Sequence, residues 1–367
     1  MFNPSSRVAQ VFLLFVLATL TSTVAVAQHF TRTNLTANRS GVTATDPSNI
    51  DPNLVNAWGL SRSSGSFWWV ADNGTGVATL HDGTGAPQSL VVTIPAPGNN
   101  GTSAPTGTVF NYDATRFPVA TGKPAIFLFA TEDGTISGWN PQVNLTSAVI
   151  KVNRAGQAVY KGLAIASARG TQFLYATNFQ TSTVDVFNGF FKPVSLPAGA
   201  FHDSRVPAGY SPFNIQNVGG NLVVTFAKKE ATGDDEEHGP GLGYVSIFDT
   251  NGKLLLRLQH GNFLNAPWGV ALAPNDFGVF AHEYLIGNFG DGRINAFNAL
   301  TGAFKGTLLN AAGNPIFISG LWALGFGNNA NAGSATELFF TAGPHDESDG
   351  LFGKLAPVAG EGRGNTQ

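Results

Sequence analysis

Four oxygen-bearing side chains follow short apolar segments at similar places along the chain. Asp72, Glu132, Asn178 and Asn288 come after segments 67–71, 126–130, 173–176 and 284–287. Carboxylate and amide oxygens are the ligands that Ca²⁺ takes in proteins, and a bound cation can polarise a carbonyl for hydrolysis. If the fold brings the four residues together, they predict a Ca²⁺ site, with Ca²⁺ as the only cofactor that we expect.

Three tryptophans, Trp58, Trp268 and Trp322, begin apolar segments that resemble one another. Such rings could bind a sugar or another flat ligand by stacking. The more common use of large rings is packing between neighbouring structural units. Both interpretations stay open at this point.

Two loops concentrate titratable groups. Residues 228–238 (KKEATGDDEEH) are rich in carboxylates, but they do not follow the spacing of an EF-hand. A solvated loop is the simpler interpretation. His345, within the sequence GPHDESD, could bind a transition metal or could be a surface residue.

The elements that must position these residues form an imperfect repeat. An inner-strand start such as Ala57-Trp58-Gly59-Leu60 recurs six times, with equivalent positions 59, 107, 162, 214, 269 and 323. Each unit continues into a second and a third short apolar strand, separated by turns rich in Gly, Asn and Asp, as hairpins require. A repeat near 50 residues with four short strands is typical of a propeller blade.

The sequence therefore predicts an all-β fold, a six-bladed β-propeller over residues 28–355. A β-sandwich or β-helix is the alternative, but no linker divides the chain into the two domains that a sandwich would need. The fourth strand is weak in the third unit and missing in the sixth. We expect the segment 29–35 to supply the missing strand and close the ring, and residues 356–367 to form a flexible tail.

Loops that enter the first strand of a blade share one face with loops that join the second strand to the third. This top face receives fifteen of the 23 acidic residues and seven basic ones, so we expect it to be acidic and to attract cations. Turn chemistry alone could also explain each acidic residue. The acidic residues assigned to the top face are Asp46, Asp51, Asp72, Glu132, Asp133, Asp203, Glu230, Asp234, Asp235, Glu236, Glu237, Asp291, Asp346, Glu347 and Asp349.

Residues 1–27 have the pattern of a signal peptide, with Arg7, an apolar core at 11–20 and a small-x-small site at 25–27. We expect export to the periplasm or the outside of the cell, and a monomer with no transmembrane segment in the mature chain. The formal net charge of −3 argues against a nucleic-acid partner. The absence of cysteine excludes disulfides, thiol catalysis and Cys-ligated metals.

The repeats resemble those of NHL-type six-bladed propellers, a wider group that includes the calcium-dependent lactonases related to gluconolactonase and senescence marker protein. More specifically, NLVNAWG at 53–59, ADNGTG at 71–76, ATEDGTISGWN at 130–140, NAPWG at 265–269 and GNFGDGRI at 287–294 look like an uncharacterised family of exported bacterial proteins. Some members of that family carry a PEP-CTERM sorting tail, which this chain lacks. The resemblance implies the fold and export, and leaves the activity open.

Two functions compete. The first is a non-enzymatic propeller that binds a small molecule or a protein partner through its acidic top face. The alternative is a Ca²⁺-dependent, lactonase-like hydrolase at the mouth of the central channel. No nucleophile elbow, zinc-protease motif, Walker loop or dinucleotide fingerprint occurs in the sequence. The geometry of Asp72, Glu132, Asn178 and Asn288 is what separates the two functions.

Overall fold

The computed structural model describes residues 28–168, 170–231 and 235–361. In these residues the chain forms a six-bladed β-propeller, as the repeat predicts. The inner strands of blades 1 to 6 are Ala57–Ser61, Pro105–Phe110, Tyr160–Ala168, Tyr210–Val218, Pro267–Leu272 and Leu321–Phe326. The second strands are Trp68–Asp72, Phe127–Thr131, Thr171–Asn178, Asn221–Lys229, Tyr284–Asn288 and Leu338–Ala342. The third strands are Val77–His81, Thr135–Trp139, Thr183–Asn188, Gly243–Phe248, Ile294–Phe297 and Leu351–Pro357.

The outer strands differ between blades. Those of blades 1, 2, 4 and 5 are Val92–Thr93, Val149–Asn153, Leu254–Arg257 and Phe304–Thr307. The described sheet of blade 3 has three strands, followed by a single bridge between Phe187 and Pro193. The prediction that its fourth strand is weak is therefore confirmed.

Blade 6 takes its outer strand from the beginning of the described chain. Phe30–Ala37 pairs antiparallel with Leu351–Pro357, from Phe30 opposite Pro357 to Ala37 opposite Leu351. This confirms the predicted closure of the ring, which pairs edges that would otherwise invite aggregation. The last strand runs to Pro357, and the Glu361 carboxylate lies 3.0 Å from His29 Nδ1, so residues 356–361 contact the propeller.

The structure contains several short elements that the repeat does not predict. They are the strand Asn49–Ile50, the hairpin Pro118–Ala120 with Lys123–Pro124, the strand Glu236–Glu237, and the 3-10 helices Pro97–Asn99 and Gly278–Phe280. The predicted signal peptide, the end of the predicted tail and Asp234 lie outside the described residues. Within the described ranges, no helix is long and apolar enough to span a bilayer.

Glycine recurs on the inner strands because neighbouring strands approach closely around the channel. A Cβ on Gly59 would lie 2.1 Å from the carbonyl oxygen of Thr106 in the next blade. A Cβ on Gly107 would lie 2.3 Å from the amide nitrogen of Leu163. The glycine of the repeat is therefore a packing requirement between blades.

Candidate functional site

The strand register shows which residues of the second strands are equivalent. Asp72 pairs with Ala57, Asn178 with Tyr160 and Asn288 with Pro267, each inner-strand partner being the first residue of its strand. In blade 2 the residue in this position is Thr131, opposite Pro105. Glu132 lies one residue further, so the expectation that all four predicted Ca²⁺ ligands occupy corresponding positions is wrong.

Each of these three strand-end residues hydrogen-bonds to a side chain of its own blade. Asp72 is fully buried, and its Oδ2 accepts a hydrogen bond of 2.7 Å from Thr79 Oγ1. Asn178 Nδ2 lies 3.3 Å from an Asp185 oxygen, and Asn288 Nδ2 donates to Asp291 Oδ1 at 2.9 Å. Burial raises the pKa of Asp72 well above its usual range. The structure therefore places Asp72 inside a blade and not on the exposed top face.

In each of these four blades, the residue directly after the second strand begins the turn to the third strand. These residues are Asn73, Glu132, Phe179 and Phe289. Phe179 and Phe289 are buried in the apolar cluster at the centre of the ring. Asn73 Nδ2 donates a hydrogen bond of 2.9 Å to Glu132 Oε2. Of the four predicted metal ligands, Glu132 is the one in this set.

The three predicted stacking tryptophans fill the channel. Trp58 stacks on Trp322 with ring centroids 3.7 Å apart, and Trp322 stacks on Phe289 at 3.9 Å. Trp268 meets both indoles edge-on. The exposed fractions of Trp58, Trp268 and Trp322 are 1%, 4% and 0%. The faces of these rings are occupied by one another, so the tryptophans form an apolar floor instead of an open stacking surface.

A buried lysine lies on this floor. The Lys161 Nζ is 5.3 Å from the centre of the Trp58 ring and 2.7 Å from both Glu132 Oε1 and Asp235 Oδ1. Glu236 Oε2 is 3.8 Å away and has no hydrogen-bond partner among the described residues. The Lys161 side chain is 2% exposed. Its ammonium thus contacts two of the three carboxylates and lies close to the third.

Hydrogen bonds extend this cluster around the channel. Asn56 Nδ2 donates to Glu347 Oε2 at 2.5 Å and to Asn73 Oδ1 at 3.2 Å, and Asn73 in turn donates to Glu132. Asn56 Oδ1 accepts a 2.8 Å hydrogen bond from Trp322 in the floor. We call the four carboxyl groups of Glu132, Asp235, Glu236 and Glu347 around Lys161 the acidic mouth.

Glu347 reaches the acidic mouth from a left-handed turn. His345, Asp346 and Glu347 have φ values of 55°, 51° and 63°, a conformation that costs non-glycine residues about 1–3 kcal/mol each. The turn is held by Asp349, whose Oδ2 lies 2.8 Å from His345 Nδ1 and accepts a 2.6 Å hydrogen bond from Arg39. His345 therefore braces the turn that positions Glu347.

The charges of the acidic mouth do not cancel. Burial alone would lower the pKa of Lys161, but the neighbouring carboxylates outweigh burial and raise it above its usual value. Burial and then the charge of Glu236 raise the pKa of Glu347 to about 7, and burial also raises the pKa of Glu236. The Glu236 carboxylate, 3.6 Å from His238 Nε2, raises the pKa of that imidazole. Four carboxyl groups thus surround one permanent cation, and the excess negative charge favours uptake of protons or of a second cation.

Each predicted Ca²⁺ ligand is held by a partner of its own: Thr79 for Asp72, Lys161 for Glu132, Asp185 for Asn178 and Asp291 for Asn288. Among residues 28–168, 170–231 and 235–361, no group of three or more His, Asp or Glu residues is arranged to hold a metal ion. The interpretation of 228–238 as a solvated loop is wrong for Glu236, which is 5% exposed and packed into the acidic mouth.

The sequence predicts Glu132 as a metal ligand and places Glu347 on the acidic top face, but it assigns no site role to Lys161 or Asn56. One signal for Lys161 is present in the repeat. In Tyr160-Lys161-Gly162 the lysine takes the place that Trp58 has in Ala57-Trp58-Gly59. A charged residue at a repeat position occupied elsewhere by a buried indole indicates a functional departure from the repeat.

Two relatives cover most of the chain. Uncharacterized protein R648 of Acanthamoeba polyphaga mimivirus is 32% identical over 332 residues, which are 88% of this chain and 78% of the viral protein. Uncharacterized protein L690 of the same virus is 32% identical over 336 residues, 88% of this chain and 84% of that protein. No protein-family model matches the chain.

Two solved structures are similar to the chain at low sequence identity. A structural genomics protein of unknown function from Bacteroides thetaiotaomicron has a TM-score of 0.55 and 10% identity over 90% of this chain and 77% of its own. A streptogramin B lyase has a TM-score of 0.49 and 11% identity over 90% of this chain and 98% of its own. At such identities the likeness concerns the fold alone.

Proposed function

The chain belongs to the family of uncharacterised proteins that includes the two mimivirus proteins, and we propose that it is a binding protein whose acidic mouth takes a cationic group. The group would be the amine of a small molecule or a Lys or Arg side chain of a protein partner. We further propose that binding takes place outside the cytoplasm, after export directed by residues 1–27.

The observation that carries the proposal is the excess of carboxyl groups around the Lys161 ammonium. Lys161 lies within 2.7 Å of Glu132 and Asp235, while Glu236 Oε2 has no hydrogen-bond donor among the described residues and Glu347 has a pKa near 7. A second cation would satisfy these carboxylates. Because the cluster borders an apolar floor, its charges are screened less than surface charges.

Titration calorimetry with cadaverine tests the proposal, and Ca²⁺ is titrated in a separate arm. We expect cadaverine to bind at about pH 8 and more weakly at about pH 5, because Glu347 takes up a proton between these values. Glu347→Gln should weaken binding about tenfold, or 1.4 kcal/mol, by removing one charge. Glu337→Gln is the matched control, since Glu337 is paired with Lys354 Nζ at 2.7 Å, away from the acidic mouth.

The outcomes separate the candidate functions. Cadaverine binding that Glu347→Gln weakens and Glu337→Gln does not would support the proposal. Failure of cadaverine to bind at about pH 8 would refute it. Saturable Ca²⁺ binding without amine binding would instead favour the metal-dependent hydrolase.

A further inference from the structure

A cleft opens on the flank of the ring, and it shares no lining residue with the acidic mouth. It has a volume of about 570 Å³ and lies between the outer strands of blade 4 and the turn Thr301-Gly302-Ala303 of blade 5. Asp203 and Arg205 line it from the segment that enters blade 4. The sequence predicts that Asp203 lies on the top face, whereas in the structure its carboxylate contacts the outer strand of blade 4.

The walls of this flank cleft are fixed by the backbone. The Gln259 amide donates a 2.7 Å hydrogen bond to the carbonyl oxygen of Gly302. Gly302 has a φ of 73°, and a Cβ there would lie 2.2 Å from the carbonyl oxygen of Arg257. The turn of blade 5 is therefore locked against the outer strand of blade 4, and the cleft is formed before any ligand arrives.

A buried carboxylate orients the guanidinium of Arg257. The Asp203 side chain is 2% exposed, and its Oδ1 accepts a 2.6 Å hydrogen bond from Arg257 Nε. Its Oδ2 accepts from Ser246 Oγ at 2.7 Å. Burial acts to raise the pKa of Asp203, but these hydrogen bonds together hold that pKa below its usual range. Asp203 therefore stays anionic and is saturated by its protein donors.

Within the described part of the chain, the terminal nitrogens of Arg257 have no acceptor. A guanidinium has five N–H donors, and only the one at Nε has an acceptor among the described residues. Arg205, an exposed residue that donates its backbone amide to Asp203, adds a second guanidinium to the same cleft. Two terminal nitrogens on one planar fork suit a carboxylate, phosphate or sulfate.

A flat wall completes the flank cleft. The His260 ring stacks on Tyr244 with centroids 4.2 Å apart and an interplanar angle of 10°. His260 Nε2 lies 3.0 Å from the carbonyl oxygen of Gly241, which fixes the ring in this position. One face of the imidazole is covered by the tyrosine, and His260 is otherwise exposed. The exposed imidazole face can pack against a ring of the ligand.

We propose that the flank cleft binds a ligand carrying an oxyanion attached to a ring. The oxyanion is held by the terminal nitrogens of Arg257 and by Arg205, and the ring packs on His260. The site does not depend on the function of the acidic mouth, whose ligand has the opposite charge. Its volume falls in the range of small-molecule sites.

Arginine side-chain NMR tests the proposal, with inorganic phosphate, sulfate, acetate and phenyl phosphate as probes. We expect saturable shifts of the Arg257 Nε–Hε resonance, and we expect phenyl phosphate to bind several times more tightly than inorganic phosphate. Among the simple ions, a preference for one identifies the oxyanion. Arg205→Ala should weaken phosphate binding about tenfold, while Arg293→Ala, which removes an exposed arginine beside Asp291, should not change it.

Arg257→Lys is the sharper variant because lysine keeps the charge beside Asp203 but lacks the planar fork. Urea unfolding confirms that this variant folds, and Arg205→Ala keeps the test valid if it does not. Phosphate affinity that survives both substitutions, or that falls equally in Arg293→Ala, would overturn the proposal. So would the absence of saturable binding at millimolar phosphate. Equal affinities of phenyl phosphate and inorganic phosphate would contradict the role of His260.

Discussion

Replacing Lys161 by methionine removes the ammonium from the acidic mouth and keeps most of the side-chain volume. The exposed fractions of its three carboxylate partners differ: 28% for Glu132, 64% for Asp235 and 3% for Glu236. The substitution therefore strands one fully buried carboxyl group and two that water can partly solvate. It also removes an attractive charge from Glu347.

The size of the expected stability loss follows from this difference in exposure. Removing one partner of a buried ion pair costs about 3–5 kcal/mol, because the other charge is left uncompensated. Since two of the three partners of Lys161 are partly solvated, we expect Lys161→Met to lower the free energy of unfolding by about 2–3 kcal/mol at about pH 8.

The loss of unfolding free energy in Lys161→Met should be smaller at lower pH. Glu236 and Glu347 have raised pKa values, about 7 for Glu347. A carboxyl group with a raised pKa in the folded state stabilises the protein below its unfolded-state pKa, and this contribution disappears as the pH rises through the folded-state pKa. At about pH 5 the Glu347 carboxyl group carries a proton, so we expect a loss of about 1 kcal/mol in the variant.

Urea unfolding at the two pH values measures the effect, and Lys229→Met is the matched control. Lys229 also lies near the Phe179 ring, but it donates to the Gln180 carbonyl at an exposed position. We expect its replacement to change stability by less than about 0.5 kcal/mol at either pH. Equal losses for Lys161→Met at both pH values, or a larger loss at the lower one, would refute the reasoning.

Three further predictions concern the mouth, its floor and the ring. Glu347→Gln should raise the urea midpoint at about pH 8 and leave it unchanged near pH 4.5, because glutamine can still accept the hydrogen bond from Asn56 and carries no charge. A lower midpoint at the higher pH would contradict this prediction. Trp322→Phe should cost about 1–3 kcal/mol in calorimetric melting, since it leaves the Asn56 carbonyl oxygen without its indole donor; an unchanged melting temperature would argue against that hydrogen bond. Gly59→Ala should destabilise the protein by several times more than Gly65→Ala. A Cβ at position 59 would lie 2.1 Å from a backbone carbonyl oxygen, while a Cβ at position 65 would have open space. Equal urea midpoints for the two variants would contradict the close approach of the inner strands.

The blades could be predicted from the sequence because their cause is local and periodic. Four of the six inner strands have glycine at the repeat position, as at Gly59, and each second strand is a short apolar run, so the repeat can be read directly. The closing strand was also predictable, since the sixth unit lacks a fourth strand and an unassigned strand-like segment precedes the first blade. The weak fourth strand of blade 3 has the same local origin.

The acidic mouth could be predicted only in part because it depends on details finer than the repeat. A difference of one residue separates Asp72, which ends its strand inside a blade, from Glu132, which follows its strand and pairs with Lys161. Glu347 reaches the mouth from three consecutive left-handed residues, which a Pro-His-Asp-Glu sequence does not indicate. Lysine is ordinarily a surface residue, and only the packing of Trp58, Glu132 and Glu236 from other blades around Lys161 explains its burial.

The pairing of Phe30–Ala37 with Leu351–Pro357 has a consequence for how the molecule is made. Phe30–Ala37 emerges from the ribosome before the other described strands, and it must wait for Leu351–Pro357 before it finds its partner. Contacts between such distant parts of a chain are slow to form, so we expect the joining of this seam to be the late step of folding. Throughout synthesis the nascent chain therefore exposes an unpaired strand edge, and any chaperone or transport machinery meets an open arc of blades before the seam can form.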